Sequence, residues 1–399
     1  MKNIWIFNHY ATKPDEPATR EYDIGKELVK NGHKVTIFAS SFSHYKLREK
    51  YLVAGEKWKA ENCNGVRFIW VKTFPYKKND WRRSLNMLSF AWRAFFLGRK
   101  IKEKPDIIIG TCVHPFAALS ACLLAKKKKS RFFFEITDLW PRIIVEMGAM
   151  RESHPIVRVL RKTELYLFKK AERIIIIPPH IGDYIKARGV PAEKIVWIPN
   201  GADLKRYENI KKYNGGNQDN LVFLYSGIFS EYAGLDTVLK AAKILQDKGV
   251  GGIKFLLVGD GAEKPGLIKM AQDLGLKNTE FQPMVPKSEV YKILGEADVF
   301  ISIIKNVVAS SGVSSNKLND YLASGRPIIF AVNVKNNPVE EAGAGFTISP
   351  QDPLALAEAA QRMAGLSPQE RIKMGENAKE YAKKNIDIRV SAEKLERLL

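Results

Sequence analysis

The feature that most constrains the fold is an alternation of short apolar runs with helical stretches, which occurs twice along the chain. In the first half, NIWIFN and RFFFEITDL have the length of buried strands, and amphipathic stretches separate such runs. After a polar segment, KKYNGGNQDN, the pattern resumes with LVFLYSG and ADVFISII. Apolar strands that alternate with helices are typical of parallel sheets covered on both faces. The sequence therefore predicts two tandem α/β domains, each with a doubly wound parallel sheet.

The positive charge of the chain lies almost entirely in its first half. The formal net charge is +21 over 399 residues. Residues 1–200 hold 38 Lys and Arg against 19 Asp and Glu, whereas residues 201–399 hold 26 against 24. A basic domain joined to a nearly neutral one indicates that the first domain faces a polyanion. Nucleic acid, an anionic membrane and a phosphorylated substrate all fit this charge.

Several classes of protein are disfavoured. Cys63, Cys112 and Cys122 are dispersed, without the spacing of a metal site, which indicates a reducing compartment. The N-terminal MKNIWIF is predicted to be a strand rather than a signal peptide. The apolar stretch Thr111–Ala125 is shorter than the ~20 residues that span a bilayer. Neither a G-x-G-x-x-G after the first strand nor a P-loop is present, which disfavours dinucleotide cofactors and P-loop NTPases.

The segment SSNKLNDYLASGRPIIF, residues 314–330, predicts a short helix that ends at Gly325 and leads into a buried strand. A helix N-terminus offers free N–H groups and partial positive charge. Lys317, one turn into the helix, adds a cation, so this end is suited to a phosphate or diphosphate. Asp320 lies on nearly the same face and is suited to ribose hydroxyls. The alternative is an ordinary connection with solvated charges.

Several motifs together resemble one known family. IPNGAD, LLVGDG, KLNDYLASGRPII and the pairing of YSG with GLDTVLKAA are similar to retaining GT-B glycosyltransferases. The resemblance is to the large family that contains bacterial O-antigen and capsule enzymes, and it covers almost the whole chain. EITDLWP, residues 135–141, resembles the branch that acts on lipid-linked acceptors.

This resemblance implies an architecture and an activity. It implies two Rossmann-like domains: an acceptor- and membrane-facing domain over 1–200, a nucleotide-sugar donor domain over 201–385, and a last helix over 386–399 that crosses back. It implies a hexosyl- or N-acetylhexosaminyltransferase that retains anomeric configuration without a metal or cofactor. The implied partners are a nucleotide-diphosphate sugar, a polyprenyl-diphosphate-linked glycan and an anionic membrane surface, and not nucleic acid. The implied location is cytoplasmic, peripheral on the inner face of the cell membrane.

The donor residues follow from the family's motif, which is a Glu, seven residues and a second Glu. Asp320 takes the place of the second Glu and is expected to bind the ribose, whereas Gly312 takes the place of the first. Gly227 ends the first strand of the second domain. Lys317 is the best remaining cation for the diphosphate and is assigned as catalytic, with Lys305 and Arg326 as helpers. Backbone groups expected to cradle the sugar or phosphate belong to Ser311, Gly312 and Val313.

In the first domain, candidates follow strands at the carboxyl ends, where α/β sheets bind ligands. Asp138 follows RFFFEIT and is the predicted catalytic carboxylate; its alternative is a turn cap. His114, Glu135 and Arg20 are candidate acceptor ligands. Their alternatives are a structural histidine, a buried pairing partner and a solvated surface arginine.

The stretch 79–100, NDWRRSLNMLSFAWRAFFLGRK, combines aromatic and basic residues on a predicted helix. This composition is typical of an interfacial membrane helix. A helix packed on its own sheet fits as well. The predicted membrane contacts are Trp81, Arg82, Arg83, Trp92, Arg93, Phe95 and Phe96.

Three other functions remain open at this point. A nucleotide-sugar epimerase can share the fold, but it has no lipid acceptor to explain EITDLWP or the basic aromatic helix. A glycosyltransferase-like membrane scaffold without catalysis would explain Gly312, together with Ile228 and Ala233 where the family often has cations. A nucleic-acid-binding protein is suggested by charge alone.

Overall fold

The computed structural model describes residues 1–14, 16, 19–78, 80–146, 148–286, 289–305 and 315–399. Two compact units divide the chain. The first comprises Met1–Pro199 together with Ser391–Leu399, and the second comprises Asn200–Val390. The acceptor and donor roles given to the two domains stay predictions.

The first unit is built on one sheet with strand order β10-β9-β8-β7-β1-β2-β6-β5. All neighbours in it are parallel except the edge strand β5, which runs antiparallel to β6. β3 and β4 form a separate two-stranded antiparallel ribbon, and both come between β2 and β5 in the sequence. The strands are β1 (Asn3–Phe7), β2 (Lys34–Ser40), β3 (Phe42–Ser43), β4 (Arg48–Glu49), β5 (Trp58–Cys63), β6 (Val66–Val71), β7 (Ile107–Cys112), β8 (Arg131–Ile136), β9 (Arg173–Ile176) and β10 (Ile195–Trp197).

Helices cover this sheet because its strands are apolar on both faces; Ile107, Ile108 and Ile109 of β7, for example, are all buried. The helices are α1 (Arg20–Lys30), α2 (Trp81–Lys100), α3 (Pro115–Lys128), α4 (Arg142–Glu146), α5 (Pro155–Lys170) and α6 (Ile181–Lys186). Gly110 lets α3 lie close on β7, since a Cβ there would come within 2.9 Å of Ala118 Cα.

The second unit has a parallel sheet with strand order β13-β12-β11-β14-β15-β16. Its strands are β11 (Leu221–Ser226), β12 (Ile253–Val258), β13 (Thr279–Gln282), β14 (Val299–Ile303), β15 (Ile328–Ala331) and β16 (Gly345–Ile348). Its helices are α7 (Leu235–Asp247), α8 (Lys264–Asp273), α9 (Val290–Glu296), α10 (Asn316–Ser324), α11 (Pro338–Ala342), α12 (Pro353–Gly365) and α13 (Pro368–Tyr381), and α14 (Ile388–Glu396) closes the chain. The predicted fold class, two doubly wound parallel-sheet domains, is confirmed.

Each sheet has a point where the direction of winding reverses. In the first unit the chain winds outward from β1 through β2 and later from β7 through β8, so β1 and β7 are neighbours at the reversal. In the second unit β11 and β14 occupy the same position. Ligands of open α/β sheets bind outside the carboxyl ends of strands at such points. Within the described residues, no helix combines the length and apolarity needed to cross a bilayer.

Candidate active site

In the second unit, Gly227 and Lys317 meet at the carboxyl end of β11. Gly227 directly follows the strand, and a Cβ there would lie 3.0 Å from Lys317 Cε and 3.3 Å from its Nζ. Any larger residue at 227 would therefore press on the lysine. The ammonium of Lys317 makes a cation–π contact with Tyr225, with Nζ 3.8 Å from the centroid of the ring.

Burial of Lys317 lowers its pKa to about 7. No carboxylate in the described part of the chain forms an ion pair that would oppose this effect. The lysine lies in the first turn of α10, whose N-cap, Ser315, makes no side-chain capping hydrogen bond. Tyr321 holds α10 against the strand end, because the Ser226 N–H donates to its hydroxyl at 2.8 Å. The first turn of α10 thus combines free N–H groups with a lysine that has no ion-pair partner in the described part of the chain, and this combination is suited to an anion.

Asp320 lies one turn further along α10 and is oriented by Tyr207, whose hydroxyl donates to Asp320 Oδ1 at 2.6 Å. Burial and the nearby carboxylate raise the pKa of Tyr207 well above its usual value, so the phenol remains a donor. The carboxylate is therefore held in one orientation. Its predicted role as the ribose ligand stays a prediction.

Arg326 is one of the two helper cations predicted from sequence. Arg326 is 1% exposed, and its guanidinium donates to the carbonyl oxygens of Ala297, Ser324, Lys211 and Gly295. The prediction that Arg326 assists the diphosphate is wrong, because this side chain is used to tie loops together. Ser311, Gly312 and Val313 lie outside the described residues.

In the first unit, polar residues follow the three adjacent strands β1, β7 and β8. His9, His114 and Asp138 each come two residues after the end of their strand. His114 is completely buried, and its Nε2 lies 2.6 Å from His9 Nδ1. Burial, followed by the charge of Arg83, lowers the pKa of His114 to about 3. Both imidazoles are therefore neutral at physiological pH, since the pKa of His9 is also lowered well below its usual value, first by burial.

Asp138 is half-buried, and burial raises the pKa of its carboxyl to about 6, against the opposing charge of Arg83. Its backbone N–H donates to the Cys112 carbonyl oxygen, which fixes the loop after β8 to the end of β7. A carboxyl group with a perturbed pKa at the carboxyl end of a central strand is a candidate functional group. The predicted catalytic role of Asp138 stays a prediction.

Arg20 and Glu135 lie together and form an ion pair with each other. Arg20 Nε donates to Glu135 Oε1 at 2.9 Å, and both side chains are less than one tenth exposed. The same guanidinium donates to the carbonyl oxygens of Ile198 and Pro199. Thr111 donates to the other oxygen of Glu135 at 3.0 Å. These contacts favour the structural alternative for Glu135 and are not those of a solvated arginine, and the acceptor roles of both residues stay predictions.

Models of two glycosyltransferase families match successive parts of the chain. The model of Glycosyltransferase Family 4 matches residues 18–206, and that of Glycosyl transferases group 1 matches residues 206–381. The chain belongs to the GT-B glycosyltransferases. The prediction of this family, of the surface-polysaccharide type, is confirmed, and so is the prediction that the protein is an enzyme.

Individual relatives of the glycosyltransferase are distant. A putative colanic acid biosynthesis glycosyl transferase, WcaI of Escherichia coli, is 26% identical over 379 residues, which cover 90% of each chain. Sucrose-phosphate synthase of Thermosynechococcus elongatus has a TM-score of 0.76 at 17% identity, with 100% of this chain and 98% of that chain covered. Anabaena HepE, solved with UDP, has a TM-score of 0.68 at 14% identity, with 100% and 99% covered.

Helix α2 of the glycosyltransferase presents two apolar faces. Met87, Phe90 and Ala94 are buried against the sheet and α3, whereas Trp81 and Trp92 are 65% and 68% exposed. Arg82 and Arg93 are also exposed, while Phe95 and Phe96 are half-buried. One face of α2 therefore packs on the sheet, as the packed-helix alternative predicts. The aromatic face that was predicted to contact a membrane stays exposed within the first unit.

Arg83 departs from its predicted place among the membrane contacts. It is half-buried, and its Nε lies 3.3 Å from the hydroxyl of Tyr10. Sequence reasoning also missed His9, Tyr10 and His44. The sequence did point to His9 and Tyr10, because they follow β1 just as His114 follows β7. Ligands of α/β sheets bind at the carboxyl ends of strands, and this applies to both positions. No local pattern connects Arg83 to that position, since the contact joins residues far apart in the chain.

Proposed function

We propose that this glycosyltransferase transfers a sugar residue, with retention, from a nucleotide-diphosphate sugar to a polyprenyl-diphosphate-linked glycan during surface-polysaccharide synthesis. The observation that carries the donor part is the half-buried Lys317, which lies against Gly227 at the start of α10 without a carboxylate partner among the described residues. A diphosphate supplies the missing negative charge. The complex of HepE with UDP and the name of the colanic acid relative support the same proposal.

The reaction places its developing charge on the departing diphosphate. Fixed donors at that position lower the barrier, because they stabilise the transition state more than the ground state. Lys317 and the first N–H groups of α10 are such donors in this proposal, and Asp320 accepts from the ribose hydroxyls. The bond from the anomeric carbon to the phosphate oxygen breaks as the acceptor oxygen bonds to the same face. The departing phosphate oxygen takes the acceptor proton, so that configuration is retained.

The acceptor part of the proposal rests on α2. This helix has no acidic residue, and its exposed aromatic face is flanked by Arg82, Arg93, Arg99 and Lys100. Aromatic and cationic side chains together favour the interface of an anionic bilayer. The protein then lies on the cytoplasmic face of the cell membrane, where lipid-linked acceptors are within reach.

The first experiment is a thermal-shift screen of UDP, ADP, GDP, CDP and TDP in buffer containing a chelator. We expect selective stabilisation by one nucleotide, lost in Lys317→Met and kept in Lys292→Met, which removes an exposed lysine on α9. The matching nucleotide sugars are then tested for transfer to a lipid extract that contains polyprenyl-diphosphate glycans. Retention is read from the anomeric coupling in the NMR spectrum of the product. A protein that binds none of the five nucleotides contradicts the proposal and favours a scaffold.

A further inference from the structure

Helices α2, α3 and α5 form one layer over the sheet of the first unit. They lie in the connections from β6 to β7, from β7 to β8 and from β8 to β9, which all run across the sheet in the same direction. Because connections between parallel strands are right-handed, helices that follow one direction cover the same face. The packing agrees, since α3 lies against both α2 and α5. The outer sides of these helices therefore make one continuous surface, which we call the three-helix surface.

The charge of the three-helix surface is almost entirely positive. These helices, which the structure describes in full, contain thirteen basic residues and one acidic residue, Glu164. Glu164 is 4% exposed and lies 3.0 Å from Arg161, so it adds no negative charge to the surface. The acidic residues that come just after α2 and α5, Glu103 and Glu172, are each paired with an arginine. Ten of the thirteen cations are exposed: Arg82, Arg93, Arg99, Lys100, Lys126, Lys127, Arg158, Lys162, Lys169 and Lys170.

Stabilisation of the helices explains only part of this charge. A cation in the last turn interacts favourably with the helix dipole, and all three helices carry basic residues there. Arg82 and Arg158, however, are among the first four residues of α2 and α5, where the dipole disfavours a cation. Lys162 lies in the middle of α5. Since the helices themselves do not require these exposed cations, their presence indicates an anionic partner.

Apolar side chains are exposed on the same surface. Ile156 and Val159 lie one turn apart on α5 and are 49% and 63% exposed, and Leu123 of α3 is also exposed. They accompany the exposed tryptophans of α2, Trp81 and Trp92. Single exposed apolar residues are common on soluble proteins, but here they recur on three neighbouring helices among cations. Aromatic, aliphatic and cationic side chains in this combination are typical of surfaces that enter the head-group region of a membrane.

We propose that an anionic lipid bilayer contacts the whole three-helix surface, so that Val159 and Lys162 of α5 meet the head groups together with the tryptophans of α2. This inference rests on the proposed membrane contact of α2 and extends it to α3 and α5. A second copy of this chain is a poorer occupant, because the two basic surfaces would repel each other. Nucleic acid would pair with the cations but would leave most of the exposed apolar area in water. The bilayer is the partner that uses both kinds of side chain.

Contact through separate helices fixes the orientation of the first unit. A single amphipathic helix leaves the unit free to rotate about the helix axis, whereas contacts on α2 and α5 together allow one orientation on the bilayer. The contacts also strengthen each other, because the second forms at a high effective concentration once the first is made. The carboxyl ends of β7 and β8, which His114 and Asp138 follow, then keep a constant position relative to the membrane.

Binding is measured by sedimentation with vesicles of phosphatidylglycerol and phosphatidylcholine, and with vesicles of phosphatidylcholine alone. The α5 pair, Lys162→Gln with Lys169→Gln, removes two exposed cations from the three-helix surface. The control pair, Lys57→Gln with Lys59→Gln, removes two exposed cations at the edge strand β5. We expect the α5 pair to weaken binding to the anionic vesicles at least about 10-fold, since each basic residue near the bilayer contributes about 5-fold. The control pair should change it less than about 3-fold, because its charges are screened from the bilayer by salt.

Val159→Ser tests the apolar part, and Val53→Ser, which changes an exposed valine that precedes β5, is its control. Val159→Ser should weaken binding to the anionic vesicles about 3-fold or more, whereas Val53→Ser should bind like the wild type. A polarity-sensitive fluorophore attached to Val159→Cys should shift to shorter wavelength on these vesicles, and one attached to Val53→Cys should not. Both labelled proteins also carry Cys63→Ser, because Cys112 and Cys122 are buried.

Nucleotide binding should be unchanged in every α5 variant, so failure of the donor proposal would not affect this test. If Trp92→Ser loses vesicle binding while the α5 variants keep it, α2 alone contacts the membrane and the inference is overturned. Equal losses in the α5 pair and the control pair would also overturn it, because the attraction would then depend only on total charge. A wild-type dimer that dissociates in Val159→Ser would assign the surface to a second copy instead. A wild-type protein that binds neither kind of vesicle would overturn this inference together with the membrane contact of α2.

Discussion

Burial disfavours the charged form of Lys317, and this gives the donor site a pH dependence. Its pKa of about 7 lies below the usual value of a lysine, so the ammonium is present below pH 7 and is lost above it. We expect the affinity for the preferred nucleoside diphosphate to fall as pH rises from 6 to 8.5. In Lys317→Met, binding at pH 6 should be about 10-fold weaker and the pH dependence correspondingly smaller.

Lys317→Arg is the control for this pH profile, because an arginine stays charged throughout the range. It should bind with little change between pH 6 and 8.5.

The lowered pKa of Lys317 also affects stability, since the lysine of the unfolded chain titrates near its ordinary value. Between pH 7 and about 10.4 the unfolded state binds more protons, so this group makes the free protein more stable as pH rises. A wild-type nucleotide affinity independent of pH would contradict the assignment of Lys317.

Asp320 is expected to recognise the ribose rather than the phosphates. Asp320→Ala should weaken binding of the preferred nucleotide about 10- to 150-fold, because a hydrogen bond to a carboxylate contributes about 1.5–3 kcal/mol. It should bind the 2′,3′-dideoxy nucleotide as well as the wild type does. Tyr207→Phe removes the group that orients the carboxylate and should give a smaller loss in calorimetric titrations. If Asp320→Ala weakens both nucleotides equally, the residue does not contact the ribose.

The residues differ in how far the sequence could predict them. Lys317 and Asp320 could be proposed from the sequence because one helix, α10, carries both, and its capping and spacing are local. The ion pair of Arg20 with Glu135 could not be predicted, because Glu135 comes from a strand far away in the sequence and burial of the pair is a property of the assembled sheet. His9 lies just after the carboxyl end of β1. The rule that ligands bind at such strand ends was used for β7 and β8 but not for β1.

At the scale of elements, α2 shows what periodicity can and cannot decide. The helix was predicted, and its aromatic stripe was seen, but a second stripe of Met87, Phe90 and Ala94 has the same spacing. Which stripe packs inward depends on the elements that it meets, among them α3, and these are too remote in sequence to be paired by pattern alone. The alternation of strands and helices was predictable because it is repeated throughout both units. The antiparallel edge strand β5 was missed because its residues are mostly exposed and polar.

The exposed face of α2 gives a prediction with a matched control on the same helix. Trp92→Ser should reduce binding to vesicles of anionic phospholipid without lowering the melting temperature, because Trp92 is 68% exposed. Phe90→Ala should instead destabilise the fold by about 3–5 kcal/mol, since Phe90 is completely buried. Vesicle sedimentation and thermal melting measure the two effects. A Trp92→Ser protein that melts early but still binds vesicles would contradict the membrane assignment.

At the scale of the whole molecule, the unequal division of charge predicts the effect of salt. Residues 1–200 hold 38 basic against 19 acidic side chains, so we expect the proposed attraction to an anionic bilayer to come mainly from the first unit. Raising the ionic strength from about 0.1 M to 1 M shortens the screening length from about 10 Å to 3 Å. Vesicle binding should fall steeply over this range, while nucleotide binding should change far less. Vesicle binding that is unaffected by salt would mean that charge contributes little to the association.

The segment Ser391–Leu399 belongs to the first unit, although the whole of the second unit precedes it in the chain. Within that unit, Arg131 donates to the backbone oxygens of Leu398 and Leu399, and Asn31 donates to Glu396. In connectivity, the second unit is thus an insertion in the first. A chimera meant to exchange sugar specificity between two such enzymes needs two junctions, one near 199 and one within α14. A single crossover at 199 would join each first unit to a foreign closing segment.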